Sequence, residues 1–440
     1  MNRLIAALSL ALLVVAGAKA QTSDDGALEI TVAGGDFKPI SIAAPGFFAE
    51  PGEAANLAAQ IRDVVLADLT GSGLFRAIPP EAHIQQLQDF DAEPQYPDWQ
   101  AINADALITG RANMEADGRV RVQFRLFDSF AAGQIEGLQF VADQGDYRRI
   151  GHKIADAIYA KLTGEGPYFD SRIVYVHESG PKSARVKRLA IMDQDGANNR
   201  FLTDGRQLVV TPRFSSNDQE VVYISFERGD PQIFLMNLGT GQQEVLGNFP
   251  GMSFAPRFSP DGRQVVMSLS QGGNTDIYVM ELATRRLRRL TDSPAIETGA
   301  SYSPDGRQIV FESDRGGGQQ IYVMSALGGP ATRISFGQGR YGTPVWSPRG
   351  DLIAFTKSGG GQFAVGVMRV DGSEERILDA SFLSEGPTWA PNGRVLSFFK
   401  ESAGANGAAS LWSVDITGRN LKRLETPGAG SDPAWSPLLP

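Results

Sequence analysis

The chain has 440 residues, a formal net charge of −9 and no cysteine. The acidic balance argues against nucleic acid or an anionic membrane surface as the main partner, because both would repel it. Without cysteine the protein has neither disulfides nor cysteine nucleophiles or ligands, and a chain of this length can bury an ample core without them.

The first 20 residues have the pattern of a Sec-type signal peptide. Arg3 precedes an apolar run at 4–15, and Ala18 and Ala20 form an Ala-x-Ala cleavage pattern. The apolar run is too short for a membrane-spanning helix, and no other stretch is apolar for long enough to cross a bilayer. We therefore expect residues 1–20 to be removed and the mature chain to be exported with no transmembrane segment.

Residues 21–35 are predicted to form a mobile N-terminal arm. Residues 21–26 are polar, and 28–34 alternate in the manner of a strand. Two interpretations stay open. The run is either the first strand of the following domain, or a segment that pairs with the sheet edge of another protein.

Residues 28–163 are predicted to form a small α/β domain. A helix is expected from about Glu53, because the apolar residues that follow fall on one helical face: Leu57, Ile61, Val64, Val65 and Leu69. Runs further along have the character of three strands and a closing helix, at 106–109, 120–127, 138–141 and 147–162. Residues 164–170 are expected to link this domain to the next.

The rest of the chain is a repeat. An aromatic residue followed by Ser-Pro, Ala-Pro or Ser-Ser recurs at a nearly constant interval, with anchors at Phe214, Phe258, Tyr302, Trp346, Trp389 and Trp435. Their separations of 44, 44, 44, 43 and 46 residues match the period of about 40–45 expected for propeller blades. Each interval contains strand-like runs separated by Gly, Asp and Asn turns, which predicts four strands per blade.

The two ends of the array predict how the ring closes. Three strand-like runs at 172–176, 188–192 and 199–203 precede Phe214 without an aromatic anchor of their own, and too few residues follow Trp435 for three more strands. We therefore expect 432–436 to supply the missing inner strand of the first blade. The predicted fold is an α/β N-terminal domain followed by an all-β six-bladed propeller at 171–440, with four-stranded blades and a ring closed by the C-terminal strand.

Catalytic motifs are absent from the sequence. It has no Gly-x-Ser-x-Gly, no phosphate-binding Gly-x-x-x-x-Gly-Lys-Ser/Thr and no His-Glu-x-x-His, and its three histidines, His83, His152 and His177, lie in separate segments. The run 193–196 has a calcium-like Asp-x-Asp-Gly pattern but lacks the late glutamate of a calcium loop, so a plain turn is favoured. We expect no metal, no cofactor and no catalytic residue.

The domain order and the blade motifs together resemble the TolB family of the Tol-Pal envelope system. The matching motifs are Phe-Ser-Pro-Asp-Gly at 258–262, Tyr-Ser-Pro-Asp-Gly at 302–306, Trp-Ala-Pro-Asn-Gly at 389–393 and the terminal Pro-Ala-Trp-Ser-Pro-Leu at 433–438. The resemblance covers essentially the whole mature chain. It implies a periplasmic location and a function in binding, not catalysis.

Two binding surfaces follow from this resemblance. In TolB-like proteins the lipoprotein Pal docks on loops that lead into the inner strands at one propeller mouth; the corresponding positions here include Met252, Ser253, Ala255, Glu297, Thr298, Arg340, Tyr341 and Glu385. The N-terminal arm engages TolA by adding a strand, which implicates Leu28, Glu29, Ile30, Thr31, Val32, Ala33, Gly34 and Gly35. Other outer-membrane lipoproteins or porins are further possible partners by the same resemblance.

The implied role is a non-catalytic scaffold that links Pal at the outer membrane to TolA from the inner membrane, and that supports outer-membrane integrity and envelope constriction during cell division. The alternative is a propeller-containing periplasmic hydrolase or lyase acting on peptide or polysaccharide. Residues 28–163 lack the length and the nucleophile elbow of a hydrolase domain, and His177 is the only propeller histidine. Both features disfavour that alternative.

Overall fold

The structure is a computed structural model that describes residues 37–440, except 218, 248, 250–251 and 405–406. The N-terminal domain contains five strands and three α-helices within the described residues. They are β1 (Ile40–Ala43), α1 (Glu53–Gly71), β2 (Phe75–Ala77), α2 (Tyr96–Ala101), β3 (Ala106–Met114), β4 (Val120–Asp128), β5 (Gly133–Ala142) and α3 (Tyr147–Thr163).

These strands form one mixed sheet in the order β2-β1-β3-β4-β5. Strand β1 pairs in parallel with β2 and β3, whereas β3, β4 and β5 form an antiparallel meander. Alternate residues of β4, from Val120 to Leu126, join the core formed with α1 and α3. The two helices approach closely at Gly151, where an added Cβ would lie 2.6 Å from Val64 Cγ1.

The remaining described strands build the propeller. They are β6 (Arg172–Ser179), β7 (Val186–Asp193), β8 (Arg200–Phe201), β9 (Val209–Phe214), β10 (Glu220–Arg228), β11 (Asp230–Asn237), β12 (Gln243–Val245), β13 (Met252–Phe258), β14 (Gln264–Gln271), β15 (Asn274–Glu281), β16 (Leu287–Arg289), β17 (Glu297–Tyr302), β18 (Gln308–Ser313), β19 (Gln320–Ser325), β20 (Thr332–Arg333), β21 (Arg340–Trp346), β22 (Leu352–Gly359), β23 (Gln362–Arg369), β24 (Arg376–Ser381), β25 (Leu383–Trp389), β26 (Val395–Glu401), β27 (Ala409–Asp415), β28 (Lys422–Arg423) and β29 (Ala429–Trp435). They form six antiparallel sheets of four strands.

The ring closes through the C-terminal strand, as the sequence predicts. Strand β29 takes the inner position of the blade that contains β6, β7 and β8, and pairs Trp435 with Ile173. Beyond the strand, the backbone N–H of Ser436 donates to Arg172 O at 2.8 Å, and that of Leu439 donates to Asp170 O at 2.8 Å. The six-bladed architecture is confirmed, and closure pairs the edge that β6 would otherwise expose.

Every inner strand carries a bulge that the sequence does not reveal. The register shifts three residues before the aromatic anchor in all six blades. The residue at that position has a positive φ of 45–67° in each case: Thr211, Ala255, Gly299, Thr343, Gly386 and Asp432. Such a residue bends the strand and re-aims its neighbours, so the ring has a six-fold repeated kink around the central channel.

The last three residues of the linker between the domains, 168–170, are buried. The Asp156 carboxylate on α3 accepts hydrogen bonds from the backbone N–H groups of Tyr168, Phe169 and Asp170, at 2.7, 2.8 and 3.0 Å. The rings of Tyr168 and Phe169 join the N-terminal core to Trp435 of the last strand. The two domains therefore share one continuous hydrophobic core.

The N-terminal domain packs on one particular face of the propeller. This face bears the turns that follow the inner strands and the turns between the third and fourth strands. Glu165 pairs with Arg349 and Arg394, which lie in two of the turns after inner strands, at 3.2 and 2.6 Å. Gly71 O accepts a hydrogen bond from Lys422 Nζ, beside a turn between a third and a fourth strand, at 2.5 Å. The crossovers from each fourth strand to the next inner strand lie on the opposite face.

Charged side chains fill the contact between α1, α3 and the turn after β7. His152 Nδ1 lies 2.6 Å from Asp68 Oδ2, both groups being buried, and Arg148 pairs with Asp193 at 3.2 Å and with Asp195. Burial opposes the charged form of His152, but the attraction of Asp193, Asp68 and Asp195 outweighs it and raises the pKa to about 10. His152 is therefore protonated at neutral pH and helps to hold the domains together.

Candidate functional site

The crossovers converge on the propeller mouth opposite the N-terminal domain. Their described residues are 202–208, 246–247, 249, 290–296, 334–339, 382 and 424–428. Because each connects an outermost strand to the next inner strand, each crosses the rim and leads toward the channel. Rigid blades hold these loops around one concavity, which suits them to recognition.

Exposed apolar side chains mark this mouth. Five blade junctions each present one large apolar residue, with exposed fractions of 42–71%: Leu208, Met252, Ile296, Phe336 and Phe382. We call these five residues the apolar rim. Leu208, Met252 and Ile296 each lie six residues before an aromatic anchor, whereas Phe336 and Phe382 lie ten and seven residues before theirs. One such residue recurs at five successive blade junctions, and an exposed apolar set of this kind is typical of a protein-binding surface.

The eight predicted Pal-binding residues all lie near this mouth, but their exposure differs. Met252 is 49% exposed and Arg340 is also exposed. Ser253, Glu297 and Tyr341 are buried, at 3%, 0% and 0% exposure. The remaining three line the start of the channel and are half-buried: Ala255, Thr298 and Glu385.

The buried members brace the loops from below. Glu297 pairs with Arg315 and hydrogen-bonds to Ser313. Tyr341 donates its hydroxyl hydrogen to Glu375 Oε2 at 2.7 Å, and burial together with that carboxylate raises the Tyr341 pKa. These contacts fix where the neighbouring Ile296 and Arg340 emerge.

Two of the half-buried members, Thr298 and Glu385, form part of a polar ring inside the channel. Thr298 donates to Glu312, whose other carboxylate oxygen accepts from the backbone N–H of Thr343 at 2.8 Å. Burial raises the pKa of Glu312, and burial and the nearby Asp432 raise that of Glu385. The channel entrance at this mouth is thus lined with carboxyl groups.

The predicted TolA-binding residues, Leu28, Glu29, Ile30, Thr31, Val32, Ala33, Gly34 and Gly35, lie outside the described residues, as does the predicted signal peptide. Part of the apolar rim lies outside the predicted set. Leu208 and Phe336 are not among the predicted residues. The blade period places Leu208 at the position of Met252, whereas Phe336 lies four residues before the equivalent position, Arg340.

The histidines occupy three separate environments. His83 packs edge-on against Trp99, His177 packs edge-on against Phe201, and His152 is paired at the domain contact. Within the described residues, the one acidic and imidazole cluster with spacing suited to a metal is His152, Asp193 and Asp195. Arg148 already pairs with both of these carboxylates, so the run 193–196 acts as a turn that joins the domains.

No helix in the described part of the chain is long and apolar enough to cross a membrane.

Comparison with known proteins assigns both domains. The TolB amino-terminal domain family matches residues 28–135, and the TolB beta propeller domain family matches residues 159–439. The Tol-Pal system protein TolB of Dinoroseobacter shibae is 59% identical over 434 residues, which cover 98% of this chain and 97% of the relative. That of Paramagnetospirillum magneticum is 56% identical over 444 residues, covering 100% of this chain and 99% of the relative.

A solved structure supports the same family. The crystal structure of TolB from Acinetobacter baumannii matches with a TM-score of 0.80 at 30% identity, and the match covers 94% of this chain and 100% of that one. The family is non-catalytic, which removes the hydrolase or lyase alternative. The chain therefore belongs to the TolB family of Tol-Pal system proteins.

Proposed function

We propose that the protein is a periplasmic scaffold that binds Pal at the propeller mouth bearing the apolar rim and binds TolA through its N-terminal arm. The scaffold would link Pal at the outer membrane to TolA from the inner membrane, in support of outer-membrane integrity and of constriction during cell division. Other outer-membrane lipoproteins or porins are further candidate partners. The observation that carries the proposal is the apolar rim itself.

The rim supports a protein partner on physical grounds. Its two phenylalanines are 71% and 54% exposed, and aromatic anchors of this kind supply much of the free energy of binding when a partner covers them. The N-terminal domain occupies the opposite face, so a partner can cover the whole mouth without meeting it. The carboxyl groups behind the rim add a polar element at the centre.

Within this proposal the predicted residues take different roles. Met252 and Arg340 contact the partner directly. Ala255, Thr298 and Glu385 face a partner segment that enters the channel. Ser253, Glu297 and Tyr341 are buried, so they act by holding the loops in place.

The test is calorimetric titration of residues 21–440 with the soluble domain of Pal from the same genome. Phe336→Asp and Phe382→Asp are expected to weaken binding at least tenfold, about 1.4 kcal/mol, as are Met252→Arg and Thr298→Arg. Leu327→Asp is the matched control, because Leu327 is an 82% exposed apolar residue in a turn on the opposite face. No binding by the intact protein, or an equal loss in the control, would contradict the proposal.

The arm is tested separately. Deletion of residues 28–35 is expected to abolish binding of the soluble part of TolA and to leave the affinity for Pal within about twofold, since the proposal assigns the two partners to different surfaces. Retained TolA binding after the deletion would remove the arm from the proposal.

A further inference from the structure

A second concavity opens at the other end of the channel, on the face that carries the turns after the inner strands. Its volume is about 530 Å³, and all its lining residues belong to the propeller. The six aromatic anchors surround it: Phe214, Phe258, Tyr302, Trp346, Trp389 and Trp435. This cavity is separate from the apolar rim and was not predicted from the sequence.

Two arginines project from the wall of this cavity. Arg213 and Arg257 each precede an aromatic anchor, on the neighbouring inner strands β9 and β13, and both are half-buried lining residues. The other four inner strands carry small or uncharged residues at this position: Ser301, Val345, Thr388 and Ala434. The positive charge is therefore concentrated on one side of the ring.

These guanidinium groups lack full compensation. Arg213 Nη1 donates to the backbone oxygen of Pro212 at 2.7 Å. Of the acidic groups in the described residues, Asp432 attracts Arg213, and none lies within 4.0 Å of either guanidinium group. Asp432 thus partly compensates Arg213, whereas the one charged group in the described part of the chain that acts on Arg257 is the like charge of Arg213.

The partly buried charges are costly to the free protein. Burial lowers the pKa of Arg257, and repulsion by Arg213 lowers it further. Burial also lowers the pKa of Arg213, although Asp432 opposes that shift. Like charges held together without partners destabilise a fold, and a bound anion would offset that cost.

We propose that this cavity is a binding site for an oxyanion, either a carboxylate or a phosphate, carried on an apolar body. Guanidinium groups present a planar fork of donors that matches both oxyanions. The aromatic anchors and the prolines of the adjoining turns, such as Pro348 and Pro391, provide an apolar wall. The volume falls within the range of about 300–1,000 Å³ typical of small-molecule sites, and it exceeds the space that an inorganic anion alone would fill.

Four probes separate the contributions of charge and apolar surface. Benzoate and phenyl phosphate carry both, benzamide lacks the charge, and inorganic phosphate lacks the apolar body. We expect saturable binding of benzoate or phenyl phosphate to the full mature chain by calorimetry, and at least tenfold weaker binding of benzamide and of inorganic phosphate. The stronger of the two organic anions identifies the preferred oxyanion.

Variants locate the site. Arg257→Gln and Arg213→Gln are each expected to weaken binding of the preferred probe at least tenfold, whereas Arg263→Gln, in the turn after β13, is the matched control and should leave it unchanged. Without a ligand, Arg257→Gln should melt at or above the temperature of the parent protein, because it removes an uncompensated charge. A melting temperature of Arg257→Gln well below that of the parent would contradict the account of that charge.

Failure to bind either organic anion at concentrations up to about 10 mM, or binding that both Gln variants retain, would overturn the proposal. Equal affinity for inorganic phosphate and phenyl phosphate would overturn the role given to the aromatic wall.

Discussion

At the scale of single residues, the Asp156 carboxylate helps to join the domains. It is 7% exposed and accepts three backbone hydrogen bonds from the linker. Each of those N–H groups is buried in the region where α3 meets the propeller, so none of them has water as a ready substitute. Charged acceptors make stronger hydrogen bonds than neutral ones, and a buried donor left without a partner is costly.

Replacing Asp156 with alanine is expected to lower the free energy of unfolding by about 3 kcal/mol, because it leaves three linker N–H groups without an acceptor. The measurement is the urea denaturation curve of the mature chain. Asp63→Ala is the control, since Asp63 is exposed on α1 and pairs there only with its neighbour Arg62; its expected effect is below about 0.5 kcal/mol. Superimposable curves for Asp156→Ala and the parent would contradict this role.

The exposure of individual residues at the candidate site was the hardest feature to predict from the sequence. The sequence located the loops of the mouth, because the 44-residue period marks every blade junction. It could not tell that Glu297 and Tyr341 point inward while Ile296 and Arg340 point outward. Adjacent residues of a strand face opposite sides. If the start of the strand is predicted one residue too early or too late, every buried residue is therefore predicted to be exposed and every exposed one to be buried.

At the scale of elements, the bulge repeated in each inner strand shows how similar backbones arise from different residues. Thr211, Ala255, Thr343 and Asp432 hold positive φ angles without being glycine, whereas Gly299 and Gly386 occupy the same position in other blades. No single residue type occupies all six positions, so no sequence pattern predicts the bulge. The non-glycine positions store backbone strain that the surrounding sheet must offset.

Gly299→Ala tests the strain at this position. An added Cβ would meet its nearest atom, Glu312 Cδ, at 3.5 Å, an ordinary contact, so the expected loss of about 1 kcal/mol comes from the backbone conformation. Thermal unfolding of the variant should show a lower midpoint. Gly145→Ala is the control, because Gly145 is exposed in the 3-10 turn before α3, has no positive φ, and an added Cβ there would meet no atom within 4 Å. This variant should be neutral or slightly stabilising. Equal unfolding midpoints for the two variants would contradict the presence of backbone strain at this position.

Strand β29 carries the closure of the ring. Deletion of residues 429–440 is expected to abolish cooperative unfolding of the propeller, because β6 becomes an open edge and Trp435 leaves the shared core. The comparison variant lacks only 437–440 and keeps the strand, so it should retain a cooperative transition. Calorimetric melting and limited proteolysis of the two deletion variants and the parent measure this difference. Parent-like melting of the longer deletion would show that closure is dispensable.

The elements themselves were predicted unevenly, for physical reasons. The long helices α1 and α3 and the alternating strand β4 were found because each buries a continuous apolar face. The parallel strands β1 and β2, of four and three residues, and the six-residue helix α2 were not, since they are too short to show a period. The propeller was the easiest part because its pattern recurs in every blade.

At the scale of the whole molecule, the contact between the domains depends on charge. His152 has a pKa raised to about 10, against an ordinary value of 6.5. Its contribution to stability is therefore complete below about pH 6.5 and is lost as the pH rises through about 10. The charged groups facing it are Asp68, Asp193, Asp195 and Arg148, and Lys422 is attracted by Asp68.

His152→Gln is expected to destabilise the protein more at pH 6 than at pH 10. At pH 6 the imidazole of the parent is charged and stabilises the contact, whereas at pH 10 much of that charge is lost. The measurement is the difference between the unfolding midpoints of parent and variant across the pH range. Burial lowers the pKa of Lys422, so this residue also titrates at high pH. Its effect on stability is present in both proteins and cancels in the difference. A difference that does not change with pH would contradict the protonated state of His152.

The central claim is that the mouth bearing the apolar rim is the docking surface for Pal. Amide hydrogen exchange of the mature chain, with and without the soluble domain of Pal, tests it most directly because it reports every loop in one experiment. The account predicts slower exchange at 290–296, 334–339 and 382–385, and unchanged exchange in the turns at 326–330 and 371–373 on the opposite face. Protection confined to the opposite face, or none at saturating Pal, would contradict it.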